Sequence, residues 1–187
     1  MMAIRIGLLR HFPVEHGMPS GWMTAAELRQ WQIAYDASAV KVARVDVGDY
    51  PWKRCLSSDL HRAYVTAQAA FDGPIDRTPL LREAEPAQFN TGRLCLPIPV
   101  WRWLLRLAWM TSHRSQRAAR DDFRNRVLQV AELLAKSPED TLVVSHAGLM
   151  IYLRPELVRR GFQGPKFTLP EHVKLYVFEK NPGDQSD

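Results

Sequence analysis

Cysteine is scarce in this chain. There are two in 187 residues, Cys55 and Cys95, and they form no C-x-x-C pair. That spacing excludes a disulfide framework and a cysteine-built zinc site, and the two isolated thiols are expected to be reduced, as in a cytoplasmic protein. Long hydrophobic runs are missing as well. No apolar stretch approaches the roughly 18 residues of a membrane span, so no stable membrane insertion is expected. The amino-terminal segment has no extended apolar region of the kind a secretory leader carries. Internal repeats and low-complexity tracts are absent, which excludes a solenoid. Acidic residues are sparse between Arg102 and Arg126. Asp121 and Asp122 there oppose seven arginines, and the stretch carries the same +5 as the whole chain. Such a segment suits an anionic substrate, an acidic membrane surface, nucleic acid or simply a solvated helix face. No helix-turn-helix, zinc or aromatic sheet motif accompanies it, so no nucleic-acid partner is expected.

What is present reads as one globular domain spanning 1–187, with 46% apolar and 24% charged residues. Strand-like and helix-like segments alternate. This predicts an α/β three-layer sandwich, with a mostly parallel central sheet and helices on both faces. Strands are expected at about 3–9, 53–57, 77–82, 140–145 and 173–179. Thr24 with Glu27 forms a capping box for a helix running to about 39. Ser58 or Asp59 is expected to cap the next helix, to about 71. Residues 86–99 read as irregular. Trp101, Leu104, Leu105, Ala108 and Trp109 then recur at helical spacing, and a longer helix covers 115–136. The stretch 86–114 is expected to form a helical insertion near one end of the sheet. The last strand leaves a polar tail, 181–187, that is expected to fray.

Three motifs carry chemistry. The apolar run Ile4–Leu9 ends in Arg10-His11. A second run, Thr141-Leu142-Val143-Val144-Ser145, ends in His146-Ala147-Gly148. Between them lies Ser57-Ser58-Asp59-Leu60-His61-Arg62. Open α/β sheets bind ligands at the carboxyl ends of their strands, where the two histidines stand. A neutral imidazole is a nucleophile that forms a covalent phosphoenzyme without a metal. Guanidinium forks from Arg10 and Arg62 match phosphate oxygens. His146, if protonated, adds a further charged donor, and the backbone at Ala147 and Gly148 opens a helix, where phosphates bind.

In this order the motifs resemble the histidine phosphatase superfamily, which includes phosphoglycerate mutases and many phosphatases. The resemblance runs over about residues 4–153, weakest in the central insertion. It implies that His11 is the phosphorylated residue and that Arg10, Arg62 and His146 form the phosphate pocket. Leu80-Leu81-Arg82-Glu83 resembles the segment whose glutamate donates the proton, which favours Glu83 over Glu85. It implies a small phosphorylated substrate and no metal or other cofactor. Phe12 and Pro13 replace the glycine that usually follows the Arg-His pair, and Phe12 is expected to reshape or narrow the pocket mouth. Trp101, Trp103 and Trp109, with Arg102 and Arg106, form either core packing, a substrate-facing cap or a membrane-facing surface. The chain is short for a mutase, which favours a metal-independent phosphatase. A mutase-like phosphotransferase and a non-catalytic phosphate-binding scaffold remain the alternatives. Oligomeric state is not legible.

Overall fold

The computed structural model describes residues 3–85, 89 and 91–181. A five-stranded sheet forms its centre, in the order β4-β3-β6-β1-β7. The strands are β1 (Ile4–Arg10), β3 (Arg54–Ser58), β4 (Ile75–Thr78), β6 (Thr141–Ser145) and β7 (Leu175–Lys180). Pairings β1–β6, β6–β3 and β3–β4 are parallel, and β7 runs antiparallel to β1 at the edge. The mostly parallel sheet is therefore as the sequence implied.

Side chains alternate across it, as the two-residue period of a strand requires. Ile6, Leu8, Leu56 and Val143 pack on one face against α4 (Arg114–Lys136) and α5 (Ala147–Arg159), through Phe123, Val127, Leu149 and Leu153. Leu9, Cys55, Leu142 and Val144 point to the other face. They meet Ala63 and Ala67 of α2 (His61–Ala70) and the segment carrying Val45, Val47 and Trp52. β6, covered on both sides, is buried at all five positions. Gly7 lies under the Trp52 indole, and a Cβ there would sit 2.7 Å from its ring.

Beside this sheet stands a smaller assembly. β2 (Trp22–Thr24) and β5 (Cys95–Pro97) form a two-stranded antiparallel pair that the sequence did not signal, since three-residue strands carry no periodicity. They lead directly into α1 (Ala25–Ala37) and α3 (Ile98–Met110). Thr24 and Glu27 make the expected capping box. Trp101 is buried, and its indole N–H donates to the Met23 carbonyl at 2.7 Å. Trp109 packs edge-on against Phe123 and donates to Tyr152 Oη, whereas Trp103 is exposed.

Three local expectations are corrected. The strand placed at 77–82 is Ile75–Thr78, followed by a one-turn 3-10 helix at Pro79–Leu81. Pro79 has no N–H for the sheet, and its fixed φ suits a helix start. Neither Ser58 nor Asp59 caps α2, whose N-cap position is Leu60. Both side chains are engaged elsewhere, as described below. Residues 95–99 are not irregular but hold β5 and the start of α3, with Pro99 in the first turn. Residues 86–88 and 90, and the tail 182–187, lie outside the described residues. Among the described residues no helix is long and apolar enough to cross a membrane.

Candidate active site

Strand register assembles the site. Arg10 of β1 pairs with Ser145 of β6, Ser57 of β3 pairs with Val144, and Ser58 pairs with Thr78 of β4. Four parallel strands thus end level, and the residues leaving them converge on one crevice. The His11 N–H donates to the Ser145 carbonyl at 3.0 Å, which places His11 beside His146 with ring centroids 5.0 Å apart. The cleft above has a volume of about 880 Å³. Arg10, His11, Arg62, Glu83, His146 and Ala147 all line it.

His11 is buried, and its Nδ1 lies 2.6 Å from the Phe12 carbonyl. A carbonyl only accepts, so Nδ1 carries the proton and Nε2 keeps its lone pair. Burial pushes the ring down to about 3, with Arg62, His172 and Arg10 lowering it further against the raising effect of the Phe12 carbonyl. His146 is also lowered well below its ordinary value, first by burial and then by His11 and the arginines. Both imidazoles are neutral at neutral pH when no anion is bound. His146 Nε2 lies 3.0 Å from Ser58 Oγ, which is why Ser58 is not a cap.

A sign follows for stability. In the unfolded chain His11 takes up a proton below its ordinary 6.5, but in the fold only near 3. Between those values the unfolded state binds more protons, so stability is complete above pH 6.5 and is lost as pH falls toward 3. His146 and His172 shift the same way and add to the slope. The urea midpoint is expected to drop progressively from pH 7 to pH 4. A flat profile would show that these rings titrate as freely as in the unfolded chain.

Three buried nitrogens around His11 have no hydrogen-bond partner among the described residues: Arg10 Nε, Arg62 Nε and His146 Nδ1. Each guanidinium is otherwise held. Arg10 Nη1 donates to the Pro170 carbonyl at 2.9 Å. Arg62 Nη1 donates to Asp36 Oδ1 at 2.7 Å, and its guanidinium lies 5.3 Å from the Tyr35 ring centroid. An unpartnered buried donor costs roughly 1–3 kcal/mol; the two guanidinium Nε–H groups are such donors, and His146 Nδ1 is a third buried nitrogen without a partner.

Glu83 is fixed by backbone donors. The Gly148 N–H donates to Oε2 at 2.9 Å, and the Ala84 N–H donates to Oε1 at 3.0 Å. The helix-start amide expected to face phosphate is therefore occupied at Gly148, while Ala147 still lines the cleft. Glu85 also lines the cleft but is exposed, with no hydrogen bond among the described residues. The two glutamates do not share a strand face, because the strand has ended at Thr78. Arg126 clamps this segment: Nη1 donates to the Arg82 carbonyl at 2.9 Å and more weakly to those of Leu80 and Pro79, while Nε pairs with Asp122. Arg82 is tied to Asp59 by a bidentate pair at 2.6 and 2.7 Å.

Gly148 is the one position where Glu83 needs a missing side chain, because a Cβ there would overlap Oε1. With Glu83 as the proton donor that the family resemblance implies, Gly148→Ala is expected to leave the fold intact and lower turnover by on the order of 10²-fold, the usual effect of a misplaced group. Steady-state kinetics beside a thermal melt would check it. Unchanged turnover would mean that the carboxylate position does not matter.

Two expectations about lining residues change. Phe12 does not narrow the mouth: its side chain is fully buried and does not line the cleft. Its backbone serves the site instead, with its N–H donating to Thr66 Oγ1 at 2.8 Å and its carbonyl holding His11. Arg102 lines the cleft, but Arg106 does not. His172, which no sequence motif marks, stands edge-on to His11 at 5.2 Å and donates from Nδ1 to the His11 carbonyl at 2.7 Å. The next residue, Val173, has φ +61°, a conformation a β-branched side chain rarely takes. No sequence signal marks that turn. Among the described residues no three His, Cys, Asp or Glu side chains form a group suited to a metal ion.

A mostly parallel sheet with a buried histidine pair and two arginines at its carboxyl end is an open α/β architecture with its crevice at the strand ends. The model of the histidine phosphatase superfamily (branch 1) matches residues 37–185, and the chain belongs to that family. The match includes Arg62, Glu83 and His146; Arg10 and His11 lie before its start. Solved structures share the fold. A candidate alpha-ribazole-5'-P phosphatase from Escherichia coli K-12 superposes with a TM-score of 0.57 at 18% identity, covering 93% of this chain and 89% of that one. Mycobacterial hydrolase 2 gives 0.54 at 18%, covering 98% and 85%. Mycobacterial glucosyl-3-phosphoglycerate phosphatase gives 0.50 at 21%, covering 84% and 81%. A comparison with curated protein sequences finds no match.

Proposed function

We propose that this protein is a metal-independent phosphatase that hydrolyses a small phosphomonoester through a phosphohistidine at His11. The observation that carries the reading is the set of three unpartnered buried nitrogens, the guanidinium Nε of Arg10 and Arg62 and the Nδ1 of His146, around a neutral His11. His11 Nε2 attacks phosphorus, and the bond from phosphorus to the ester oxygen breaks. Arg10, Arg62 and His146 hold the transferring oxygens as preorganised donors. Arg62 exchanges part of its pairing with Asp36 for the phosphoryl group. Glu83 protonates the departing alcohol. Water then attacks phospho-His11, Glu83 takes its proton, and the P–N electron pair returns to Nε2.

The cleft is far larger than a phosphate. Beyond the pocket, Leu28, Trp31 and Tyr35 of α1 face Trp101 and Leu105 of α3, with Arg29 and Arg102 at the sides. α1 buries none of its residues, so its apolar side is turned to this space. That supports a substrate whose alcohol is larger than glycerol and carries further negative charge. The test is a rapid acid-free quench with ³²P-labelled phosphoester. An acid-labile, alkali-stable phosphohistidine that maps to His11 is expected. Turnover without any such adduct would sink the covalent route and favour direct attack by water.

A further inference from the structure

α3 has two apolar sides. Ile98, Trp101 and Ala108 are buried. On the opposite side Val100, Trp103, Leu107 and Met110 are 38, 61, 40 and 68% exposed. At 100° per residue these four form one strip, about 15 Å long at 1.5 Å per residue, with Arg106 beside it. Arg114 and Arg117 follow at the start of α4. Arg102, Arg106, Arg114 and Arg117 are all exposed and have no side-chain partner among the described residues. From Arg93 to Arg120 the chain holds six arginines and no aspartate or glutamate. Two other arginines of this region are committed to structure: Arg120 donates to Ser112 and to the Met110 carbonyl, closing the end of α3, and Arg126, further along α4, holds the Glu83 segment.

We propose that this face of α3 docks on an anionic lipid bilayer, lying in the interface with Trp103 and Leu107 among the acyl chains. An amphipathic helix with exposed Trp and Leu beside unpaired arginines has the composition for that position, and a negative headgroup layer supplies the charge the arginines lack. A second copy of the chain fits poorly. A two-fold contact would oppose this acid-free, arginine-rich surface to itself. One four-residue strip also falls well short of the ~800 Å² per partner of a stable interface. The arginine-rich run in the sequence is thus divided between structure and surface. Arg102, on the flank of the same helix, also lines the catalytic cleft.

The experiment is co-sedimentation of the whole protein with vesicles of phosphatidylglycerol and phosphatidylcholine, or of phosphatidylcholine alone. Partitioning is expected to be at least tenfold greater on the anionic vesicles, to weaken with salt, and to fall at least tenfold in Trp103→Glu/Leu107→Glu. Hydrolysis of p-nitrophenyl phosphate should be unchanged in that variant, since neither residue lines the cleft. The absence of binding to anionic vesicles at low salt would overturn the proposal. So would undiminished binding by the variant, which would trace the effect to net charge alone. Binding abolished by inorganic phosphate at matched ionic strength would place the headgroup in the catalytic pocket instead, and a dimer that Trp103→Glu dissolves would assign the face to a second copy. The vesicle-binding outcomes do not depend on whether the protein hydrolyses phosphoesters.

Discussion

His11→Ala is expected to lower turnover of a phosphomonoester by on the order of 10⁴-fold while the protein stays folded and still binds phosphate. The size follows from position. His11 Nε2 is the lone pair presented to the cleft, because Nδ1 is committed to the Phe12 carbonyl. Burial keeps the ring neutral across the working pH range, so nearly every molecule carries a competent nucleophile. Removing it leaves the Arg10, Arg62 and His146 donors in place, and inorganic phosphate should bind within about tenfold of wild type. Equilibrium phosphate binding and near-UV circular dichroism separate this outcome from collapse of the site. Loss of turnover with phosphate affinity retained is the signature of a missing nucleophile. Loss of both would make His11 a support for the pocket, and retained turnover would overturn the covalent scheme.

The convergence of Arg10, His11 and His146 was legible because each stands at or just past a strand end, and strand ends are the part of a parallel sheet that periodicity reports well. Apolar runs and the rule that ligands sit at the carboxyl edge placed Arg10, His11 and His146 at strand ends, and the resemblance of the three motifs to the family brought them together. The supporting contacts were not legible, because they join distant segments through single atoms. Asp36 reaches Arg62 from the end of α1, 26 residues away. His172 reaches the His11 carbonyl from a turn 161 residues away. No local pattern distinguishes either from a surface residue. Phe12 shows the opposite error. Its bulk suggested a steric role at the mouth, but in a chain leaving a buried strand the side chain followed the core and only the backbone met the site. The strand expected at 77–82 failed because its apolar content was read and Pro79 was not. That proline also sets the turn that brings Glu83 within reach of Gly148.

Glu83→Gln is expected to slow hydrolysis of alkyl phosphates by about 10²–10⁴-fold, the usual worth of a positioned general acid. The substitution preserves shape but removes the transferable proton. It also turns one oxygen into an NH₂ group, so the amide accepts from either the Gly148 or the Ala84 N–H but not from both. p-Nitrophenolate leaves without protonation, so formation of phospho-His11 from p-nitrophenyl phosphate should proceed within a few-fold of wild type. The second half-reaction still needs a base, and an initial burst of about one equivalent of nitrophenol should therefore precede a slower steady rate. The expected pattern is a steeper dependence on leaving-group basicity together with a burst. Equal loss on alkyl and aryl substrates would instead assign Glu83 to holding the start of α5 in place. Glu85→Gln is the matching control. Glu85 lines the same cleft but lacks the two backbone donors that aim Glu83. If the leaving-group effect moved to Glu85→Gln, the proton would come from the exposed carboxylate, and the clamp of Arg126 on the Glu83 segment would be structural only.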